Sequence, residues 1–343
     1  MSTSGSIPSV RRLASAALAK PSTGVIVLLL GICVFMAFTE PVFLTFNNWS
    51  NVFNQSVYVL ILAIGMTVVL ITGGIDLSVG AVLGLSAGVM ADQINTGRPF
   101  IAAFILALAA GAVLGLFNGV LITRIGLPDF VATLATMGIA SGLLYLWTSG
   151  FPFTDYMLDV YYTLAGRERY LGFVTVPLML SLLMVAVVAF VMRRTSFGRH
   201  AYAVGSNADA ARLSGINVNR VRVTAYVISG VLAALAGVLL AGRTTTVAPN
   251  MGLGYEVQAI AAAVIGGAAL SGGRGRVGGA VLGALVLTVA NNVINIAGVS
   301  AEWQQIVLGS ILLLAVTLDR VGTLGYERSL ARARRQAVVA ADA

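Results

Sequence analysis

The fold class this sequence predicts is an all-α, polytopic integral membrane protein of about ten transmembrane helices, and three observations predict it. The 343 residues are 58% hydrophobic and 10% charged, whereas water-soluble domains carry roughly 25% charged residues. The apolar residues gather in runs at 22–39, 52–72, 77–94, 100–123, 129–148, 173–192, 223–242, 256–270, 277–297 and 303–319. Most approach the ~20 residues needed to cross ~30 Å of hydrocarbon. Basic residues crowd alternate connecting segments, as the positive-inside bias requires of a multi-pass chain.

The first run follows Arg11, Arg12 and Lys20 and ends at Glu40-Pro41. It is long for a signal-peptide core and lacks an A-x-A site, so it reads as a retained first span. No soluble domain is expected at either end. Residues 1–21 and 321–343 are expected to be cytoplasmic segments flanking a membrane domain over 22–320. With the N-terminus inside, Arg98, Arg167, Arg169 and Arg243 are the basic residues left outside, and all the others fall on inner segments. The opposite orientation reverses the bias and is rejected. Trp49, Trp147 and Trp303 then all sit at outer helix ends, where tryptophan anchors at the interface. The expected location is the bacterial inner membrane.

The same residues exclude several functions. The net charge of +8 is explained by inner loops and calls for no nucleic acid. Lys20 is the only lysine and precedes Pro21, so there is no G-K-[ST] phosphate loop to hold ATP on this chain. One histidine, His200, rules out an H-E-x-x-H zinc site, and one cysteine, Cys33, rules out an internal disulfide. No G-x-S-x-G elbow is present. A membrane enzyme therefore lacks a nucleophile–base or metal constellation, and no cofactor is expected on this chain. Transport is left as the reason for polar residues inside the spans.

The most informative polar stretch is "TGGIDLSVG" at 72–80. A charge at the bilayer centre costs ~2.5–3.5 kcal/mol on insertion scales, so Asp76 needs compensation. Gly73 and Gly74 are poor helix continuers and can end the second span. Asp76 suits the N-cap of the next helix, accepting from the amides of Ser78 and Val79 at the positive end of its dipole. Gly80, Gly84 and Gly88 give that helix a small face for close packing. Asp76 reads either as a cap alone or as part of a translocation path or inner gate. A second junction, "GGAALSGGRGRVGGAVLGAL" (266–285), shares a glycine pair, Leu-Ser and a Val-Gly opening into a helix. Gly-interrupted spans of this kind point to the pathway in transporters built from repeats.

"GGIDLSVG" resembles the signature of the membrane permease subunits of bacterial ABC importers for monosaccharides, the ribose-type branch. "LPDFVATLATMGIASGLLYLWTSG" (127–150), "GRHAYAVGSNADAARLSGINVNRVR" (198–222), "GYEVQAIAAAVIGGAALSGGRGRVGGAVLGAL" (254–285) and "NNVINIAGVSAEWQQIVLGSILLLAV" (291–316) also resemble that family's blocks, in family order. Gln258 stands where many relatives carry a second acid, and Ser141 replaces a common arginine. The resemblance implies two permease subunits side by side, either a homodimer or a pair with a paralogue. It also implies separate ATPase subunits holding ATP-Mg on the cytoplasmic face and an extracytoplasmic sugar-binding protein. Two rival readings are a stand-alone secondary sugar transporter or facilitator with Asp76 as its proton site, and a permease for another small polar solute such as a branched-chain amino acid.

The largest inner loop, 193–222, contains "GSNADAARLSGI" (205–216). Starting from Gly205, Ser206 or Asn207 can N-cap a short helix, Asp209 favours its first turn and Arg212 its last, and Gly215 can close it. So short a helix is marginal alone and must pack against something. It reads either as a helix lying on the membrane surface or, as the resemblance implies, as the coupling helix that seats in the ATPase. Candidate residues for the path or gate are Gly73, Gly74, Asp76, Ser78, Asn118, Asn291, Asn292 and Asn295, with Tyr255 and Glu256 at the outer end of the eighth span. In-span amides serve either as ligand contacts or as hydrogen-bonding glue between helices. Pro128 and Asp129 read as the start of the fifth span.

Overall fold

A computed structural model describes residues 21–154, 166, 168–170 and 172–300, together with 303, 306, 309, 310, 313 and 317. Residues 1–20 of the expected segment 1–21, all of 321–343 and most of the tenth run lie outside the described residues. Within them the elements are α1 (Pro21–Thr39), α2 (Phe46–Ile71), α3 (Val79–Asn95), α4 (Phe100–Val120), α5 (Asp129–Trp147), α6 (Val176–Arg194), α7 (Ser196–Ser206), α8 (Ala208–Leu213), α9 (Val218–Thr244), α10 (Tyr255–Ile265) and α11 (Val277–Ile296). Nine of the ten apolar runs thus contain one of these helices, and the described residues of the tenth are helical. The described residues form no strand beyond the isolated bridges Phe153–Val247 and Tyr170–Val174.

Two helices form the centre. The apolar stretch of α2 is 89% buried and that of α9 72% buried, against 22–28% for α4, α5 and α6. The bare faces of α4, α5 and α6 carry Ile105, Val113, Phe117, Leu134, Leu143, Leu182 and Phe190, the side-chain set that lipid or another apolar surface accepts. Helices in lipid gain little from further hydrophobic burial and associate through close backbone approach. Glycine makes that approach here. A Cβ at Gly111 or Gly115 of α4 would collide with the carbonyls of Gly230 and Tyr226 of α9, and one at Gly237 of α9 with the carbonyl of Leu83 of α3. The 111/115/119 spacing carries the same signature as 80/84/88 and is legible in the sequence.

Local chemistry sets the helix boundaries. The Thr45 hydroxyl accepts from the Asn48 amide to open α2, and Thr175 does the same for α6 with Leu178. Asn217 caps α9 by accepting from the Arg220 amide. Between α4 and α5 the chain widens into one π turn, Leu121–Ile125, and stops at Gly126 with φ +83°.

The tenth element departs from expectation. Helix α10 has 11 residues and ends at Ile265, not at 270. At 1.5 Å per residue it is about 16 Å long, half the ~30 Å of hydrocarbon. Its C-terminal Gly266 abuts Gly279, two residues into α11, and Ala262 abuts Gly283. Helix α10 therefore runs antiparallel to α11 and covers only the end of the bundle where α11 begins. Residues 248–254 dip inward to reach its start, turning on Gly252 (φ +92°) and Gly254 (φ +88°).

Candidate functional site

The break at 72–78 is built as a chain of satisfied polar groups. Gly73 takes φ +81°, and α3 starts at Val79. Ser78, not Asp76, occupies the N-cap position of α3. Asp76 sits two residues earlier. Its Oδ1 accepts from the Ser78 amide (3.0 Å) and the Ser78 hydroxyl (2.6 Å), and its Oδ2 accepts from the Ser229 hydroxyl of α9 (2.9 Å). The bond expected from the Val79 amide is replaced by these two hydroxyls. The network continues outward: Asn118 of α4 donates to Ser78 Oγ (2.9 Å), and the Thr136 hydroxyl of α5 donates to Asn118 Oδ1 (2.6 Å). All five side chains are buried. One carboxylate thus ties together α3, α4, α5 and α9, and the donors around it offset the cost of desolvating it.

The backbone of the break is held from both sides. The Ile75 amide donates to Asp129 Oδ2 (2.7 Å), and the Tyr226 hydroxyl donates to the Ile75 carbonyl (3.2 Å). Asp129 is therefore more than a helix-starting residue. A cavity of about 270 Å³ opens beside the break, with Gly73, Gly74, Ile122, Asp129, Arg222 and Tyr226 in its wall. A larger residue at Gly74 would have to displace the Tyr226 hydroxyl, which lies 2.6 Å from a Cβ placed there.

The two glycine junctions meet. The Gly273 amide donates to the Ile71 carbonyl (3.0 Å). Gly205, near the end of α7, lies so close to both that a Cβ would collide with the Ile71 carbonyl and stand 2.6 Å from the Gly273 amide nitrogen. Gly272 approaches both the Gly205 carbonyl and the Gly73 Cα, and the Tyr202 hydroxyl of α7 donates to the Gly275 carbonyl (2.9 Å). The 193–222 loop is thus clasped, backbone against backbone, onto the end of α2 and the junction between α10 and α11 at once. No side-chain pattern announces this contact, although glycines at all three places are what it requires.

Beyond the clasp the loop is as the sequence reads, with one refinement. Ser206 ends α7 and donates to the Tyr202 carbonyl, leaving Asn207 as the cap of α8, accepting from the amides of Asp209 (3.1 Å) and Ala210 (2.9 Å). Arg212 and Asp209 form an exposed ion pair at 3.1 Å. Gly215 follows the helix at φ +82°. The six-residue helix leaves Leu213 91% exposed at its tip.

Tyr255 and Glu256 open α10, at a depth the sequence did not indicate. A Cβ at Gly80 would strike Glu256 Oε2 and the Gly252 carbonyl, and one at Gly84 the Met251 carbonyl. Because Ser229 is level with Asp76 and Gly237 with Leu83, α3 and α9 run parallel. Gly80 is then one helical turn beyond Asp76. The first turn of α10, which begins that span, is therefore deep in the bundle, because α10 is a half-length helix. Glu256 is buried and its Oε1 accepts from the Gly254 amide (3.1 Å). The remaining amides separate. Asn292 and Asn48 exchange two side-chain bonds (3.1 and 2.8 Å) that join α11 to α2. Asn291 Oδ1 is buried without a hydrogen-bond partner, and Asn295 is exposed. These three do not join the Asp76 cluster. Ser229, Thr136, Tyr226, Asp129 and Arg222 do adjoin the break, and the first two were visible only as lone hydroxyls in apolar runs.

Residues 48–316 match the family model described as the branched-chain amino acid transport system / permease component. The chain belongs to this permease family. It is 42% identical over 287 residues to the ribose import permease protein RbsC of Bacillus subtilis (strain 168), covering 84% of this chain and 89% of that protein. It is 38% identical over 298 residues to RbsC of Escherichia coli (strain K12), covering 86% and 92%. With the D-allose transport system permease protein AlsC of the same strain it shares 36% over 291 residues, covering 84% and 88%. No solved structure matches. The permease is thus a multi-pass protein of the bacterial inner membrane, a transport component rather than an enzyme.

Proposed function

We propose that this permease is the membrane subunit of a monosaccharide ABC importer, passing sugar inward by alternating access while partner ATPases supply the drive. The observation that carries the reading is the Gly205 clasp. It joins a short exposed helix, α8, to the two places where spans are broken. A push on α8 is thereby delivered to both breaks through backbone contacts, which transmit displacement with little slack. The bare Leu213 on α8 gives an ATPase cleft an apolar knob to grip. ATP-Mg belongs on those partner chains, since this one has no phosphate loop. An extracytoplasmic sugar-binding protein and a second permease, identical or paralogous, complete the assembly.

Similarity to ribose and D-allose permeases at 36–42% identity supports sugar as the cargo. The family description names branched-chain amino acids, but the relatives compared above name sugars. The proton-driven rival requires Asp76 to take up and release a proton. Asp76 is instead 1% exposed with both oxygens occupied by donors from Ser78 and Ser229. The test is reconstitution of the permease with its neighbouring ATPase and binding protein in vesicles. Ribose or allose uptake should require ATP and ignore a protonophore. Uptake without the ATPase, driven by a proton gradient, would refute the reading.

A further inference from the structure

The geometry points to a cytoplasmic-side subsite for a neutral polyhydroxylated ligand in the cavity between Asp129 and Arg222, a station the sugar occupies just before release. This rests on the sugar-import reading above. The cavity is about 270 Å³, slightly under the ~300 Å³ at which ordinary small-molecule pockets begin, and so suits a single small ring. It lies at the end of the bundle where α9 begins, α4 ends and α5 starts, which the basic-residue distribution places inside.

Its polar groups form a mixed set. Asp129 uses Oδ2 to hold the Ile75 amide, leaving Oδ1 able to accept. Arg222 Nε is buried and has no hydrogen-bond partner, a costly state for a donor unless something else satisfies it. Tyr226 gives its proton to the Ile75 carbonyl and retains an oxygen that accepts. A sugar hydroxyl both donates and accepts, so neighbouring hydroxyls on one ring can bridge Arg222 and Asp129. An anion here meets Asp129 and a cation meets Arg222, each against like charge. A zwitterionic amino acid also matches both signs, so leucine is the competing probe in the test below. The floor is Gly73 and Gly74 of the break, and Arg222 reaches to 4.0 Å of a Cβ placed on Gly73. Any shift of the break therefore reshapes the site, the property a release station needs.

The experiment uses the complete importer in vesicles, carrying Cys33→Ala and a single reporter, Leu127→Cys. Leu127 lines the cavity and is 36% exposed. A membrane-impermeant maleimide is applied from the cytoplasmic face with ribose, allose or leucine as the probe. Ribose or allose at ten times its Kd should slow labelling about tenfold, because the free fraction falls as 1/(1 + [L]/Kd). Leucine should not. Arg222→Gln and Asp129→Asn should each abolish protection while the ATPase still co-purifies. Normal ATP-driven sugar uptake with labelling indifferent to either sugar overturns the subsite alone. Protection by leucine in place of sugar, or sugar protection surviving in both variants, also overturns it. Failure of the parent importer to take up any sugar overturns the import reading, and the subsite falls with it.

Discussion

At Asp76 the question is what a buried carboxylate does in an apolar bundle. Three donors converge on it, and through Ser78 and Asn118 it reaches Thr136 on α5. In Asp76→Asn the amide oxygen still accepts from Ser78, and Ser229 can reorient its hydroxyl to accept from the new NH2. This variant should keep most of the thermal stability and uptake. Asp76→Leu leaves the Ser78 amide and two hydroxyls without their acceptor, at ~1–3 kcal/mol for each buried group left unsatisfied. It should lower the melting temperature of the purified permease and abolish uptake. Equal inactivity of both variants, with normal stability of the Asn form, would instead mark a protonation role. The break and its acid were legible in the sequence, since Gly-Gly before Ile-Asp-Leu-Ser can scarcely continue a helix. It could not give away Ser229 or Thr136, because a hydroxyl in an apolar run can equally bond its own preceding turn.

Among the elements, α8 and α10 depend most on single residues. Asn207 holds two amides of a helix only six residues long. Asn207→Ala should cost ~1 kcal/mol of local stability and speed amide exchange over 208–213 without altering membrane insertion. Gly215→Val puts a β-branched residue at φ +82°, a region such side chains avoid, and should weaken recovery of the ATPase with the permease. For α10 the decisive contact is with the glycine face of α3. Gly80→Ala drives a methyl into the Gly252 carbonyl and Glu256 and should destabilise by ~1–3 kcal/mol, as overpacking does. Gly278→Ala, where a Cβ meets nothing within 4 Å, should be neutral or raise stability by ~0.5–1 kcal/mol. Melting of the two purified variants checks the contrast. The half-length of α10 was not legible because residues 259–270 carry no polar side chain. Hydropathy registers burial and does not register that the chain leaves the helix at Gly266.

At the scale of the whole molecule the bundle joins two kinds of contact. The outer helices present apolar faces, while the centre is fastened by backbone contacts at glycine, by the Asp76 network and by the Asn48–Asn292 pair. Length and hydropathy place the spans, and basic residues orient them, because both effects act through local composition. The convergence of Gly73, Gly205 and Gly272 arises from residues far apart in the chain, and only the three-dimensional path brings them together. On that convergence rests the proposal that α8 moves the breaks, since Gly205 leaves no gap between loop and spans. The direct measurement is sugar uptake per ATP hydrolysed by the reconstituted importer carrying Gly205→Val. The side chain cannot fit against the Ile71 carbonyl, yet it leaves the outer surface of α8 unchanged. The expected result is normal insertion and ATPase recovery with uptake per ATP severely reduced. Unchanged uptake per ATP in a correctly assembled Gly205→Val importer would contradict it.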